Sequence, residues 1–165
     1  MRADAAGQDP EERAREIALR LLTHSARSAA QLRDGLVARD VAPDLADALV
    51  ARYAEVGLVD DAALAATIVR TRHGERGQAR RAIAQELRRK GFSQDDAEQA
   101  LAQIDGDDER ERARELAAAR WARLASHPPE VRSRRIVAML GRKGYPPGLA
   151  YAVVTDLARA ESEGG

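Results

Sequence analysis

The sequence predicts an all-α fold, an elongated tandem array of three three-helix repeats, on three observations. The first is internal repetition. An offset of 53 residues lays Ile83, Leu87, Lys90, Gly91, Phe92 and Leu101 over Ile136, Leu140, Lys143, Gly144, Tyr145 and Val154. An offset of 51 in the other direction reaches Leu32, Leu36, Arg39, Asp40, Val41 and Val50, so a helix, a turn and a helix are written three times, least faithfully at the start. The second is composition: 35 of 165 residues are Ala and only 3% are aromatic, which makes helices easy to form and leaves a sheet little to pack with. The third is that an apolar content dominated by Ala buries little area per residue. A thin core of that kind suits small units that each lean on a neighbour better than one deep globule.

Taken in order, the elements have local causes. Residues 1–10 read as a disordered tail, and Asp9-Pro10-Glu11-Glu12 opens a helix to about Thr23 with Ile17, Leu21 and Leu22 on its apolar side. Ser28 caps a second helix carrying Leu32 and Leu36. Pro43 and Asp44 begin a third, with Leu45, Leu49 and Tyr53, which Gly57 ends. Asp60 caps a fourth helix with Leu64 and Ile68, broken by His73, Gly74 and Gly77. A fifth runs from about 78 to 89 and stops at Gly91, and Ser93 opens a sixth through Ala97 to Leu101. Asp105-Gly106-Asp107-Asp108 reads as a linker into a seventh helix ending near Ser126. Pro128-Pro129 sets the next break, and the last two helices flank Gly144 and Tyr145. The units are therefore expected at 11–57, 58–104 and 105–160, with a second disordered tail at 161–165.

Gly91 and Gly144 follow Lys90 and Lys143 at helix ends, where a left-handed cap suits Gly. Phe92 and Tyr145 are then placed to fold back on Leu87 and Leu140, the apolar contact that accompanies such caps. With Asp60, these four residues read as structural turns, not as chemistry.

Formal net charge is zero, but it is segregated. Residues 70–90 hold Arg70, Arg72, Arg76, Arg80, Arg81, Arg88, Arg89 and Lys90 against Glu75 and Glu86, a local balance of +6. Residues 105–115 are rich in Asp and Glu, a pattern shared by elongated binders and by ordinary solvated helices. On the fifth helix Arg81 and Arg88, seven apart, lie nearly opposite Ile83 and Leu87 at about 100° per residue. Arg134, beside Arg135, takes the place of Arg81 in the last repeat, whereas the first has Ala30 there. These ten basic residues are the candidate contacts for phosphate or for an acidic protein surface.

Other chemistries are not supported. With no Cys there is no disulfide, thiolate site or Cys nucleophile. His73-Gly74-Glu75-Arg76-Gly77-Gln78 lacks the GxxxxGK[ST] pattern and follows no strand. Asp60 and Asp61 are adjacent at a helix start, which suits an N-cap and a first-turn acid, and His24, His73 and His127 are far apart. No catalytic residue, cofactor or metal is expected. The charged N-terminal residues resemble neither a signal peptide nor an anchor, and no run approaches the roughly 20 apolar residues of a membrane span, so a cytoplasmic protein is expected.

Three stretches taken together carry a family resemblance. Gly57-Leu58-Val59-Asp60-Asp61-Ala62-Ala63-Leu64-Ala65, then Gly77-Gln78-Ala79-Arg80-Arg81 through Ile83, Glu86 and Leu87 to Lys90-Gly91-Phe92, then Arg134-Arg135-Ile136 through Leu140 to Arg142-Lys143-Gly144-Tyr145, resemble in this order the RecX family of bacterial recombinase regulators, over about residues 13–157. Leu64 replaces a usual aromatic, and Gln31 stands where the first repeat often has an acid. The resemblance implies a non-catalytic modulator that binds the RecA filament along its groove. Such a protein restrains filament growth or promotes disassembly, damping ATP hydrolysis, strand exchange and co-protease activity. A monomer is expected, with single- or double-stranded DNA as a possible further contact. The alternative is a DNA-binding module that uses the central basic helix without recombinase.

Overall fold

The computed structural model describes residues 7–165, so most of the N-terminal tail expected at 1–10 lies outside the described residues. Among them are nine α-helices, a π-helical turn and no strand.

α1 (Pro10–His24) starts where Pro10 needs no N–H partner and Asp9 accepts the Glu11 N–H. α2 (Ala29–Val37) has a full capping box: the Ser28 hydroxyl takes the Gln31 N–H and the Gln31 side chain takes the Ser28 N–H. Gln31, which the family pattern makes an oddity, thus does what an acid would do at that position. α3 (Pro43–Glu55) ends before Gly57, whose φ is +80°. α4 (Asp61–Arg70) is capped by Asp60, whose carboxylate accepts the Ala63 N–H at 3.1 Å.

Of His73, Gly74 and Gly77, where the break is expected, only Gly77 ends the helix. The chain continues from α4 into a π-helical turn (Thr71–Glu75) and leaves the helix at Gly77, φ +65°. The wide turn is held because the Arg112 side chain donates to the carbonyls of His73 and Gly74, at 3.3 and 3.0 Å. α5 (Arg80–Arg89) and α6 (Gln94–Leu101) follow, with Ser93 accepting the Asp96 N–H at 3.1 Å.

Nor is residue 106 in a linker. α7 (Gly106–Arg123) begins there, because Asp105 and Asp108 form a reciprocal capping box. α8 (Pro129–Arg142) opens on the double proline. α9 (Pro147–Glu163) runs past the boundary expected at 161. Its Glu161 is held at 3.0 Å by Arg132, which is buried and stacked over the Trp121 ring at 4.6 Å.

The chain divides into two compact units. One comprises the described residues up to Ala66 with Leu87–Glu98, and the other comprises Thr67–Glu86 with Gln99–Gly165. The core of the first gathers Ala14, Ala18, Leu32, Leu36, Ala46 and Tyr53. That of the second gathers Ala79, Ala113, Ala117, Trp121, Ile136, Leu140 and Tyr145. Alanines occupy many of the core positions in both, so close helix approach replaces large side chains, as composition predicts.

Candidate functional site

Eight of the ten basic candidates are exposed: Arg70, Arg76, Arg80, Arg81, Arg88, Arg89, Arg134 and Arg135. α5 places Arg80, Arg81, Arg88 and Arg89 outward because Ile83 and Leu87 are fully buried on its other side. Arg81, Arg88, Arg89 and Arg134 have neither an ion pair nor a side-chain hydrogen bond among the described residues. Arg70 leans on Thr67 at 3.4 Å, and Arg135 lies 3.4 Å from the His127 ring. These long cations keep their heads in water, ready for an anionic surface at small desolvation cost.

Arg72 is different. It sits in an ion pair with Glu86 at 2.9 Å, both side chains mostly buried (18% and 16% exposed). It ties the π-helical turn to α5 and is not a free contact. Lys90 is half-buried. Its backbone carbonyl accepts the Ser28 hydroxyl.

The residues read as structural turns behave as turns. Gly91 and Gly144 hold φ of +80° and +94°, and the N–H groups of Phe92 and Tyr145 return to the carbonyls of Leu87 and Leu140 at 3.1 and 3.0 Å. Phe92 and Tyr145 are buried. The Tyr145 hydroxyl donates to the Gly77 carbonyl at 2.9 Å, and burial, aided by the Glu109 carboxylate, pushes its pKa up to about 12.

Sequence reasoning missed a recurring joint in which these turns take part. In the first unit the Asp61 carboxylate accepts the Ala29 N–H at 2.9 Å, the Ser28 hydroxyl donates to the Lys90 carbonyl, and Gly91 sits against Ala30. In the second unit the Glu109 carboxylate accepts the Arg80 N–H at 2.6 Å, the Ala79 N–H donates to the Lys143 carbonyl at 2.8 Å, and Gly144 sits against Ala82. Ser28 and Ala79 are 51 apart and Lys90 and Lys143 are 53 apart, the repeat offsets themselves. Asp61 is therefore more than a first-turn acid: it caps the helix of another repeat. Burial raises its pKa above the ordinary carboxylate value despite the Ala29 hydrogen bond, with Asp96 and Asp60 adding repulsion.

Among the described residues no group of three or more His, Asp or Glu is arranged to hold a metal, and no helix is long and apolar enough to cross a membrane.

Comparison with known proteins follows the same division into three. The RecX first three-helix domain matches residues 14–52, the second residues 60–101 and the third residues 107–154. Regulatory protein RecX of Thermobifida fusca is 44% identical, aligning 95% of this chain with 85% of its own length. That of Streptomyces lividans is 42% identical over 94% of this chain and 83% of the relative. Among solved structures, RecX from Lactobacillus salivarius superposes with a TM-score of 0.77 at 21% identity, covering 91% of this chain and 97% of its own. A crystal structure of regulatory protein RecX gives 0.73 at 26% identity, covering 90% and 72%.

Proposed function

This chain belongs to the RecX family, and from that premise we propose that it is a non-catalytic regulator that binds the RecA nucleoprotein filament and inhibits or disassembles it. The observation that carries the reading is the succession of three RecX domains along one chain. The units proposed at 11–57, 58–104 and 105–160 give a filament several moderate contacts, which a shared backbone combines into one affinity. The unpaired cations Arg81, Arg88, Arg89 and Arg134 are the contacts we assign to anionic partner surfaces, with Arg70, Arg76, Arg80 and Arg135 beside them in the exposed set. We place the protein in the cytoplasm, as a monomer, where a recombinase filament forms.

The test is ATP turnover by the cognate recombinase on single-stranded DNA with saturating regulator. Inhibition is expected, and unchanged turnover overturns the reading. Arg81→Glu with Arg88→Glu should weaken inhibition by roughly tenfold or more while helical content and melting stay near wild type, since Ile83 and Leu87 keep their burial. Equal inhibition by the double variant reduces that face to solvation.

The +6 balance over residues 70–90 favours one rival, direct DNA binding. It predicts affinity for naked DNA that falls steeply with salt and needs no recombinase.

A further inference from the structure

In the first repeat α1, the chain leaving it and the turn after α2 enclose a hollow of about 250 Å³. Its lining is Ile17, Arg20, Leu21, His24, Arg27 and Arg39, with no carboxylate. Two of the guanidinium groups are pinned. Arg27 Nε donates to the Leu21 carbonyl at 3.2 Å and Arg39 Nη1 to the Gly35 carbonyl at 2.9 Å, which leaves the remaining N–H groups of each for another acceptor. Arg20 and His24 are exposed, and their side chains make no hydrogen bond or ion pair among the described residues. Glu16 and Asp40, the acids closest to Arg20 and Arg39 along the chain, line no part of the hollow and pair with none of its cations.

The second repeat fills the same place with an anion of its own. The offset of 51 extends into α1, where it carries buried Ala14 and Ala18 onto buried Ala65 and Val69. It also carries Leu21 onto Arg72 and Gly35 onto Glu86, so the ion pair at 2.9 Å stands where the first repeat has Leu and Gly. Gly35 lies inside α2, where Gly is a poor helix former. Its missing side chain provides room: an added Cβ would meet Leu21 Cδ1 at 3.0 Å and lie 3.8 Å from Arg39 Nη1. The neighbours change the other way, since Thr71, Glu75 and Gln78 correspond to Arg20, His24 and Arg27, and Lys90 to Arg39. The first repeat has lost the acid and gained cations.

Helix ends alone do not account for this charge. The C-termini of α1 and α2 lie here and attract cations, but together they amount to about one negative charge. Three guanidinium groups bring three positive charges, so about two are left uncompensated, enough for a dianion. A phosphomonoester carries about −1.5 to −2 at neutral pH and accepts bidentate bonds from Arg, whereas a backbone phosphodiester carries only one charge. At about 250 Å³ the hollow falls short of the roughly 300–1,000 Å³ of sites that bury a drug-sized ligand, so it suits a terminal group and not a whole molecule. We propose that the first repeat carries a phosphomonoester site, in which Arg20, Arg27 and Arg39 hold the terminal phosphate of a mononucleotide or of a DNA 5′ end. Ile17 and Leu21 give its ester carbons an apolar wall. The site is separate from the cations of α5 assigned above to the filament, and the inference does not rest on that assignment.

The probe is thymidine 5′-monophosphate, titrated at low salt into the full-length isotope-labelled protein, with thymidine as the uncharged control. Saturable amide shifts are expected at Arg20, His24, Arg27 and Arg39, with a dissociation constant on the order of 1 mM for a few charge-assisted hydrogen bonds at an open site. Arg20→Gln, at an exposed position without a partner among the described residues, should weaken binding by about fivefold or more with unchanged melting. Gly35→Glu restores the acid of the second repeat and should abolish binding; if that variant loses its fold, Arg20→Gln decides. Arg81→Glu with Arg88→Glu should bind the nucleotide as wild type does, which separates this site from the filament reading. A 5′-phosphorylated thymidine hexamer that shifts the same residues assigns the site to a DNA end, and one that does not, while the mononucleotide does, assigns it to free nucleotide. No shifts at tens of millimolar nucleotide, or undiminished binding by Arg20→Gln, overturns the proposal. Equal shifts from the 5′-hydroxyl hexamer would make the hollow a diester contact, and tighter binding of an Asp- and Glu-rich peptide would make it a carboxylate site; either result overturns it as well.

Discussion

The joint in the first unit and the joint in the second reach the same geometry with different atoms. At one, an Asp carboxylate and a Ser hydroxyl make the two polar links; at the other, a Glu carboxylate and a backbone N–H make them. What does not vary is the Lys carbonyl as acceptor, the left-handed Gly after it, and the small side chain against that Gly. The joint is therefore specified by backbone shape and by the absence of a side chain, while its hydrogen-bonding side chains are interchangeable.

The largest effects should come from the invariant part. Gly91→Ala and Gly144→Ala each force a Cβ into a left-handed backbone and onto Ala30 or Ala82, and each is expected to cost about 2–4 kcal/mol in urea unfolding. Gly57→Ala is the control, with the same sign of φ (+80°) and nothing within 4 Å, so only the backbone penalty of about 1 kcal/mol applies. Equal losses at all three glycines would show that close packing contributes nothing at the joints.

A middle-sized effect should separate the two joints. Ser28 is fully buried; Ser28→Ala removes the cap of α2 and leaves the Lys90 carbonyl without the hydroxyl, at a cost of about 1–2 kcal/mol. No side-chain truncation at Ala79 can do the same, because its donor is the main chain. If Ser28→Ala melts with the wild type, the first joint is held by Asp61 and Gly91 alone.

Much of this was legible in the sequence. The repeat offsets, the caps at Ser28, Asp60 and Ser93, and the burial of Phe92 and Tyr145 follow from periodicity and turn chemistry, which act over a few residues. The joints were not legible, since Asp61 and Glu109 cap helices more than twenty residues away and look locally like ordinary first-turn acids. Gly106 was misread because a capping box outweighs one poor helix former. Arg72 was grouped with the exposed cations because charge density along a chain cannot tell a solvated cation from one folded onto Glu86. Shared offsets of acid, Ser or Ala, and Gly were the available signal. They point to a joint only once the repeats are known to stack.

The smallest effect concerns pH and sharpens the contrast between an acid buried in a joint and one on the surface. Asp61 has its pKa raised above 3.8, chiefly by burial, whereas fully exposed Asp105 has its pKa lowered below 3.8, chiefly by the Asp108 backbone N–H. As pH falls toward 3.8, folded Asp61 takes up its proton before the unfolded chain does, so acidification relieves a penalty and favours the folded state. Asp105 acts in the opposite sense: its stabilisation is present above 3.8 and is lost as pH falls through its lower folded value. Urea midpoints measured from about pH 7 to about pH 3 should therefore show Asp61→Asn losing ground to wild type as acid is added, while Asp105→Asn gains on it. A difference curve for Asp61→Asn that is flat through the carboxylate range would mean that the Ala29 hydrogen bond fully offsets burial, which would make the first joint electrostatically neutral.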